Sequence, residues 1–196
     1  MRVVSDEIHC ELVMPGHTFT PFAAVNEVNQ NNCVTLNSPS KSFNIAGLQI
    51  ANIICKDKEL RRRIDRVVNI YEVCDVNPFG PVALKAAYNE SEDWLDELNL
   101  YIHDNYKSLK TYFAEHLPQV EVIRLEGTYL AWLDIRTLDM SSKEATRRLL
   151  QDGKVYVCSG ILYGEESGEG YLRVNLACPR ETLQEGLKRM VRVLAE

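Results

Sequence analysis

A lysine follows a short apolar run at a point where it could act as a nucleophile. Residues 33–36, Cys-Val-Thr-Leu, predict a buried strand that ends before Pro39. Lys41 comes directly after this break. A lysine amine attacks an aldehyde only when it is neutral, a form that desolvation or a nearby positive charge favours. The hydroxyls of Ser38, Ser40 and Ser42 are suited to bind phosphate oxygens. The alternative is that Lys41 is an ordinary solvated surface residue.

An aspartate stands at the end of another predicted strand. Val3-Val4 is apolar and gives way to Ser5-Asp6-Glu7-Ile8-His9. In open α/β sheets, ligand sites lie at the carboxyl ends of the strands. A carboxylate from Asp6 could keep the ring nitrogen of a pyridine-type cofactor protonated, which makes the ring an electron acceptor. The alternative is that Asp6 only caps the turn that follows it.

An arginine lies inside an otherwise apolar strand near the C-terminus. Residues 171–176 read Tyr-Leu-Arg-Val-Asn-Leu, with Arg173 in the middle. Its guanidinium requires an anionic partner, and a substrate carboxylate matches its planar, two-pronged geometry. A structural ion pair with one of the many acidic residues is the alternative.

A rival interpretation of the lysine segment is excluded. Ser38 and Lys41 match the S-x-x-K motif of penicillin-binding proteins and β-lactamases. That chemistry also needs S-D-N and K-T-G elements, and the sequence contains neither downstream. Pro39 is unsuited to the helix that carries the serine in those enzymes.

Composition excludes several classes of protein. The 196 residues carry a formal charge of −6, and no basic stripe is present, so we expect no nucleic-acid partner. No apolar stretch is long enough for a bilayer, so we expect no membrane association. The six cysteines form no C-x-x-C pair and mostly adjoin apolar residues, which favours free thiols in a reducing cytoplasm over disulfides or a metal site.

The predicted elements change in character along the chain. Strands at residues 3–4, 33–36 and 48–55 precede one long helix that extends to Pro118. Afterwards come an antiparallel pair at 120–135, a helix from Ser141, strands at 155–157 and 171–176, and a closing helix at 179–194. This order predicts an α/β part at residues 1–98 and an α+β part at residues 99–196.

These segments together resemble pyridoxal-phosphate enzymes of the aminotransferase class I/II family, in the branch of cystathionine β-lyase-like C–S lyases. The resemblance rests on four segments and runs nearly end to end. They are Ser-Asp-Glu-Ile-His at 5–9, Ser-Lys-Ser-Phe-Asn-Ile-Ala-Gly at 40–47, Glu-Gly-Thr-Tyr-Leu-Ala-Trp-Leu-Asp at 126–134, and Tyr-Leu-Arg-Val-Asn-Leu-Ala-Cys-Pro-Arg at 171–180.

The resemblance implies a role for each candidate residue. Lys41 would bond pyridoxal 5'-phosphate and then move the Cα proton, and Asp6 would pair with the ring nitrogen. His9 would lie near the ring hydroxyl, although a half-buried structural histidine is an equal alternative. Ser38 and Ser40 would contact the phosphate. Arg173 would bind the α-carboxylate of an amino-acid substrate.

The resemblance also implies an architecture and an activity. Residues 1–98 would be part of the large, cofactor-binding domain, and residues 99–196 the small domain. The expected reaction is β-elimination of sulfur amino acids to pyruvate, ammonia and a thiol, with transamination as the alternative. The full-length protein would be a homodimer.

Two departures qualify these expectations. Many relatives carry an arginine eight residues after the lysine, where this chain has Gln49. The segments that resemble the family match only its second half. A strand at the start of the chain would then form an exposed sheet edge. A catalytically silent fragment is therefore a further alternative.

Overall fold

The packing of the chain divides between Asn99 and Leu100, inside a 25-residue helix, Glu92–His116. The computed structural model describes residues 1–196 and gives two units, Met1–Asn99 (unit 1) and Leu100–Glu196 (unit 2). The assignment of residues 1–98 and 99–196 to a large and a small domain stays a prediction.

Unit 1 consists of a small mixed sheet and the helices that connect and follow its strands. The helix that starts at Lys58 is capped by Asp57, whose side chain accepts hydrogen bonds from the amides of Glu59 and Leu60. The elements are β1 (Val3–Asp6), α1 (Glu27–Asn32), β2 (Cys33–Asn37), β3 (Asn52–Ile54), α2 (Lys58–Ile70), α3 (Gly80–Glu90) and the first part of α4 (Glu92–His116).

The sheet of unit 1 has the order β1-β2-β3, with β1 at one edge as predicted. β1 and β2 are parallel, and Asp6 is opposite Leu36. The amide of Glu7 continues this pairing by donating to the carbonyl of Leu36 at 2.8 Å. The carboxyl ends of both strands therefore lie at the same edge of the sheet.

The prediction of a buried strand at residues 48–55 was wrong in length and in burial. Only Asn52–Ile54 is a strand, and it runs antiparallel to β2. Ala46–Leu48 forms a 3₁₀ turn that ends at Gln49, whose left-handed backbone (φ 49°) interrupts extended structure. The run of isoleucines suggested full burial, but Ile53 and Ile54 are about half exposed.

The single long helix of the prediction is two helices. Ser91 separates α3 from α4 because its backbone (φ −127°, ψ 27°) leaves the helical region. Its hydroxyl instead donates to the carbonyl of Ala86 at 3.2 Å. A serine that bonds to a nearby carbonyl competes with helix continuation, and no proline or glycine marked this break in the sequence.

Unit 2 is an antiparallel sheet covered by helices. The sheet has the order β4-β5-β7-β6. The predicted pair at 120–135, the cap at Ser141 and the closing helix are confirmed, whereas the strand predicted at 155–157 lies at Cys158–Ser159. Besides the rest of α4, the elements are β4 (Glu121–Val122), β5 (Leu130–Asp134), α5 (Ser142–Gln151), β6 (Cys158–Ser159), β7 (Tyr171–Asn175) and α6 (Arg180–Leu194).

The two units differ sharply in core size. Seven buried hydrophobic residues belong to unit 1 and twenty to unit 2. In unit 2, Leu133 and Leu172 are paired across β5 and β7, and both are fully buried. Unit 1 instead exposes many large apolar side chains, including Val4, Ile54 and Phe79.

None of the helices combines the length and the apolar character that a bilayer crossing demands. All six cysteines are free thiols in the structure, and Cys33 and Cys55 are buried.

We predict that Leu172→Ala lowers the free energy of unfolding of unit 2 by about 2–5 kcal/mol, because it leaves a cavity in a fully buried position. The chain has two tryptophans, one in each unit. Urea unfolding in a Trp94→Phe background, followed by Trp132 fluorescence, reports on unit 2. Leu162→Ala is the matched control, since Leu162 is 67% exposed and should change stability by less than about 0.5 kcal/mol.

Candidate functional site

The carboxyl edge of the parallel pair β1–β2 brings two of the candidate segments together. Asp6 is the last residue of β1, and Ser38 follows the last residue of β2. One carboxylate oxygen of Asp6 accepts from the amide of Ile8 at 3.2 Å, which is the turn-capping contact considered from the sequence. The side chain is exposed, so a carboxylate lies at the strand end where a ligand can approach it.

The segment from Ser38 to Ile45 is a hydrogen-bonded turn that carries Lys41. The hydroxyl of Ser38, which is buried, donates to the carbonyl of Ile50 at 2.6 Å and accepts from the amide of Ser40 at 3.1 Å. The amide of Phe43 donates to the carbonyl of Pro39 at 2.9 Å, and the amide of Ile45 to that of Ser40 at 3.2 Å. These bonds fix the backbone on both sides of Lys41.

Lys41 itself is exposed, whereas the next residue, Ser42, is completely buried. The Ser42 hydroxyl donates its proton to a carboxylate oxygen of Glu11 at 2.6 Å, so this buried group is not placed to bind phosphate as the sequence suggested. Sequence reasoning missed this partner, because 31 residues separate the two side chains and no periodicity connects them. The lysine side chain therefore extends toward solvent from a backbone whose neighbouring side chain is held in the interior.

Two further residues of unit 1 were singled out from the sequence. His9 is half-buried in the turn that follows β1. Gln49, eight residues after the lysine, is exposed and has a left-handed backbone. A glutamine carries no charge, so it cannot replace the electrostatic contribution of an arginine toward a phosphate.

Arg173 lies in β7 of unit 2, where its surroundings are aromatic and thiol groups. Its guanidinium carbon is 4.5 Å from the centre of the Tyr163 ring, a cation–π distance. One terminal nitrogen lies 3.6 Å from the sulfur of Cys158, its partner in the β6–β7 register. The Tyr163 ring in turn meets Trp132 edge-on at 5.4 Å. These contacts orient the guanidinium, and none of them involves a carboxylate. They therefore do not support the alternative that Arg173 forms a structural ion pair.

The loop that carries Tyr163 is closed by two glycines in direct contact. A Cβ at Gly160 would collide with the carbonyl oxygen of Gly168, and a Cβ at Gly168 would collide with that of Gly160. Real Cβ atoms do not approach backbone this closely, so any side chain at either position would force the loop apart. The glycines of the sequence do not by themselves reveal this constraint, since it joins positions eight residues apart.

The residues of unit 1 fit a pyridoxal-phosphate site in part. An exposed carboxylate from Asp6 and an exposed amine from Lys41 follow adjacent parallel strands, and both are chemically suited to the cofactor. Ser38 fits less well as a phosphate donor, because its single proton is already donated to Ile50. The Ser40 hydroxyl is the better placed of the two serines, since its side chain is partly exposed.

The chain matches the family model described as "Aminotransferase class I and II" over residues 1–190. It is 39% identical to cystathionine beta-lyase PatB of Bacillus subtilis, over all of this chain and 50% of that protein. It is 31% identical to protein MalY of Escherichia coli, over 99% of this chain and 49% of that protein. The chain thus spans about half the length of the curated relatives it matches.

Solved structures with the same fold as this chain are also pyridoxal-phosphate proteins. Cystalysin from Treponema denticola, which contains a pyridoxal 5'-phosphate cofactor, superposes with a TM-score of 0.95 at 33% identity, over 100% of this chain and 49% of that one. A PLP-bound putative aminotransferase from Clostridium difficile 630 gives a TM-score of 0.95 at 35% identity, over 99% and 50%. The predicted fold class is therefore confirmed: the chain has the fold of about half of such an enzyme.

We predict that Ser38→Ala destabilises unit 1 by about 1–3 kcal/mol, because it leaves the buried carbonyl of Ile50 without its hydroxyl donor. Urea unfolding followed by Trp94 fluorescence, in a Trp132→Phe background, measures this loss. Ser40→Ala is the control, since the Ser40 hydroxyl takes no part in that bond. Equal stability of the two variants would contradict the structural role assigned to the Ser38 hydroxyl.

Proposed function

Because the chain belongs to the aminotransferase class I and II family, we propose that the protein is a pyridoxal-phosphate-dependent C–S β-lyase of the cystathionine β-lyase type. The proposed activity is that of the whole enzyme. The relatives PatB and MalY are about twice as long as this chain. The observation that carries the proposal is the parallel register of β1 and β2, which directs Asp6 and the Lys41 turn to one sheet edge.

Lys41 is the proposed catalytic residue. Its amine would hold the cofactor at the aldehyde carbon, and it would also be the base that takes the proton from the substrate Cα. The bound cofactor would accept the electrons that this proton leaves behind. Asp6 would keep the ring nitrogen protonated, because an anionic carboxylate next to that nitrogen favours its charged form. The Ser40 hydroxyl would donate a hydrogen bond to the phosphate. The Ser38 hydroxyl would do so only after giving up its bond to the carbonyl of Ile50.

Arg173 is the proposed ligand of the substrate α-carboxylate. Its role is supported by the surroundings of its guanidinium within unit 2, which orient the group through Tyr163 and Cys158 rather than neutralise it. A charged fork of this kind binds a carboxylate with two parallel bonds. The relatives named cystathionine beta-lyase indicate that this amino-acid substrate carries a sulfur leaving group at Cβ. Its elimination and hydrolysis would yield a thiol, pyruvate and ammonia.

His9 and the assembly of the protein complete the proposal. His9 would lie near the ring hydroxyl of the cofactor. The exposed apolar residues of unit 1 support further protein contacts in the whole enzyme, including those of a homodimer. A cytoplasmic location agrees with six free cysteines.

We predict that borohydride reduction of the chain mixed with pyridoxal phosphate labels Lys41. The amine is exposed on an ordered turn, so it can reach an aldehyde, but affinity should be weak. Peptide mapping by mass spectrometry measures the labelled fraction. Lys41→Ala should abolish the specific label, and Lys85→Ala, an exposed lysine on α3, should leave it unchanged. Labelling spread evenly over the lysines would instead support a catalytically silent chain.

A second prediction separates elimination from transamination in the whole enzyme. With cystathionine and no added keto acid, we expect steady release of pyruvate, measured by coupling to lactate dehydrogenase. Strict dependence on a keto acid would contradict the lyase assignment and favour an aminotransferase. The 196-residue chain alone should show little turnover, and ordinary enzyme rates from it would contradict that expectation.

A further inference from the structure

A carboxylate in the segment after β1 reaches the residue next to the lysine. Glu11 accepts a hydrogen bond of 2.6 Å from the hydroxyl of Ser42. Ser42 has no exposed surface, and Glu11 is half-buried. A short bond between a buried hydroxyl and a carboxylate is among the stronger hydrogen bonds in proteins. It connects the segment after β1 directly to the turn after β2.

The Glu11 carboxylate is the centre of a larger polar cluster. It also lies close enough to the side chains of Cys10 and Tyr88 to influence the pKa of both. Burial, followed by the nearby Glu11 carboxylate, raises the pKa of Cys10 to about 12, and the same causes raise the pKa of Tyr88. Both groups are therefore protonated and uncharged at neutral pH, so neither adds a second negative charge beside Glu11. The side-chain amide of Asn99 donates to the backbone carbonyl of Glu11 at 3.0 Å, which fixes the residue itself.

The residue after Ser42 is held in the same region by aromatic packing. The ring of Phe43 stacks on Trp94 at 5.7 Å and meets Tyr88 edge-on at 6.1 Å. Tyr88 thus contacts Phe43 and lies near the Glu11 carboxylate. The backbone that carries Lys41 is consequently attached to the interior immediately after the lysine, by one charged hydrogen bond and one aromatic cluster.

We infer that Glu11 is a positioning residue for Lys41: its bond to Ser42 holds the backbone of the lysine turn in the conformation that presents the amine to the cofactor. The inference rests on the proposed role of Lys41 and deepens it. Glu11 acts through Ser42 and has no chemical step of its own. Side-chain truncation at either residue should therefore loosen the turn without removing any group that reacts.

Hydrogen exchange of the Phe43 amide tests the anchor directly. This amide donates to Pro39 and closes the turn over Lys41. In Glu11→Ala and in Ser42→Ala, we expect its exchange to accelerate about tenfold to a hundredfold, as when one hydrogen bond to a charged group is lost. Exchange at Ala87, which is buried in α3 of the same unit, should not change and controls for unfolding of unit 1 as a whole.

Two variants sharpen this measurement. Glu11→Gln keeps an acceptor oxygen for Ser42, so exchange at Phe43 should stay within about threefold of the unmodified chain. Ser5→Ala removes another serine–glutamate bond of unit 1, from Ser5 to Glu7 at 2.9 Å. It should leave Phe43 exchange unchanged. An unchanged rate in both Glu11→Ala and Ser42→Ala would overturn the anchor.

Borohydride labelling with pyridoxal phosphate separates positioning from stability alone. At equal folded fraction, the label on Lys41 should fall at least fivefold in Glu11→Ala and return in Glu11→Gln. Faster exchange at Phe43 with undiminished labelling would overturn the positioning role. If the unmodified chain took up no label at all, the proposed function would fail, whereas the exchange rates would still decide whether Glu11 anchors the turn.

Discussion

The parallel pairing of β1 with β2 is the constraint on which the candidate site depends. Parallel strands end at the same edge, so residues far apart in the chain meet there without any local motif. Asp6 and the Lys41 turn owe their proximity to the register that sets Asp6 opposite Leu36. A shift of one residue would reverse the faces of every side chain in β2 and would move the lysine turn.

Polar side chains then hold the backbone that follows β2 in an ordered turn. Ser38 ties the start of the turn to Ile50, and Ser42 ties the residue after the lysine to Glu11. Both serines are buried, so each bond is expensive to leave unmade. Lys41 stands between two buried anchors and is itself exposed. Such an arrangement combines a rigid backbone with a long side chain that remains free to reach a ligand.

The sequence predicted the features that local pattern controls. The strand before Lys41, the Ser141 cap and the closing helix depend on apolar periodicity and turn chemistry, and they were found where expected. The sequence did not reveal the break at Ser91, because a serine–carbonyl bond interrupts a helix without proline or glycine. Nor did it reveal Glu11, since the partnership with Ser42 exists only once two strands have paired. Apolar content also overstated the burial of Ile53 and Ile54, which lie on an edge strand.

The contact between Gly160 and Gly168 links backbone spacing to the surroundings of Arg173. The two residues bracket the loop whose Tyr163 ring covers the guanidinium. Replacement of either glycine by alanine would widen the loop and displace the Tyr163 ring, while Arg173 itself remained in its strand. The spacing of two backbone segments therefore controls how an aromatic ring covers a cation, and a single methyl group at either glycine would uncover that charge without altering the charged residue.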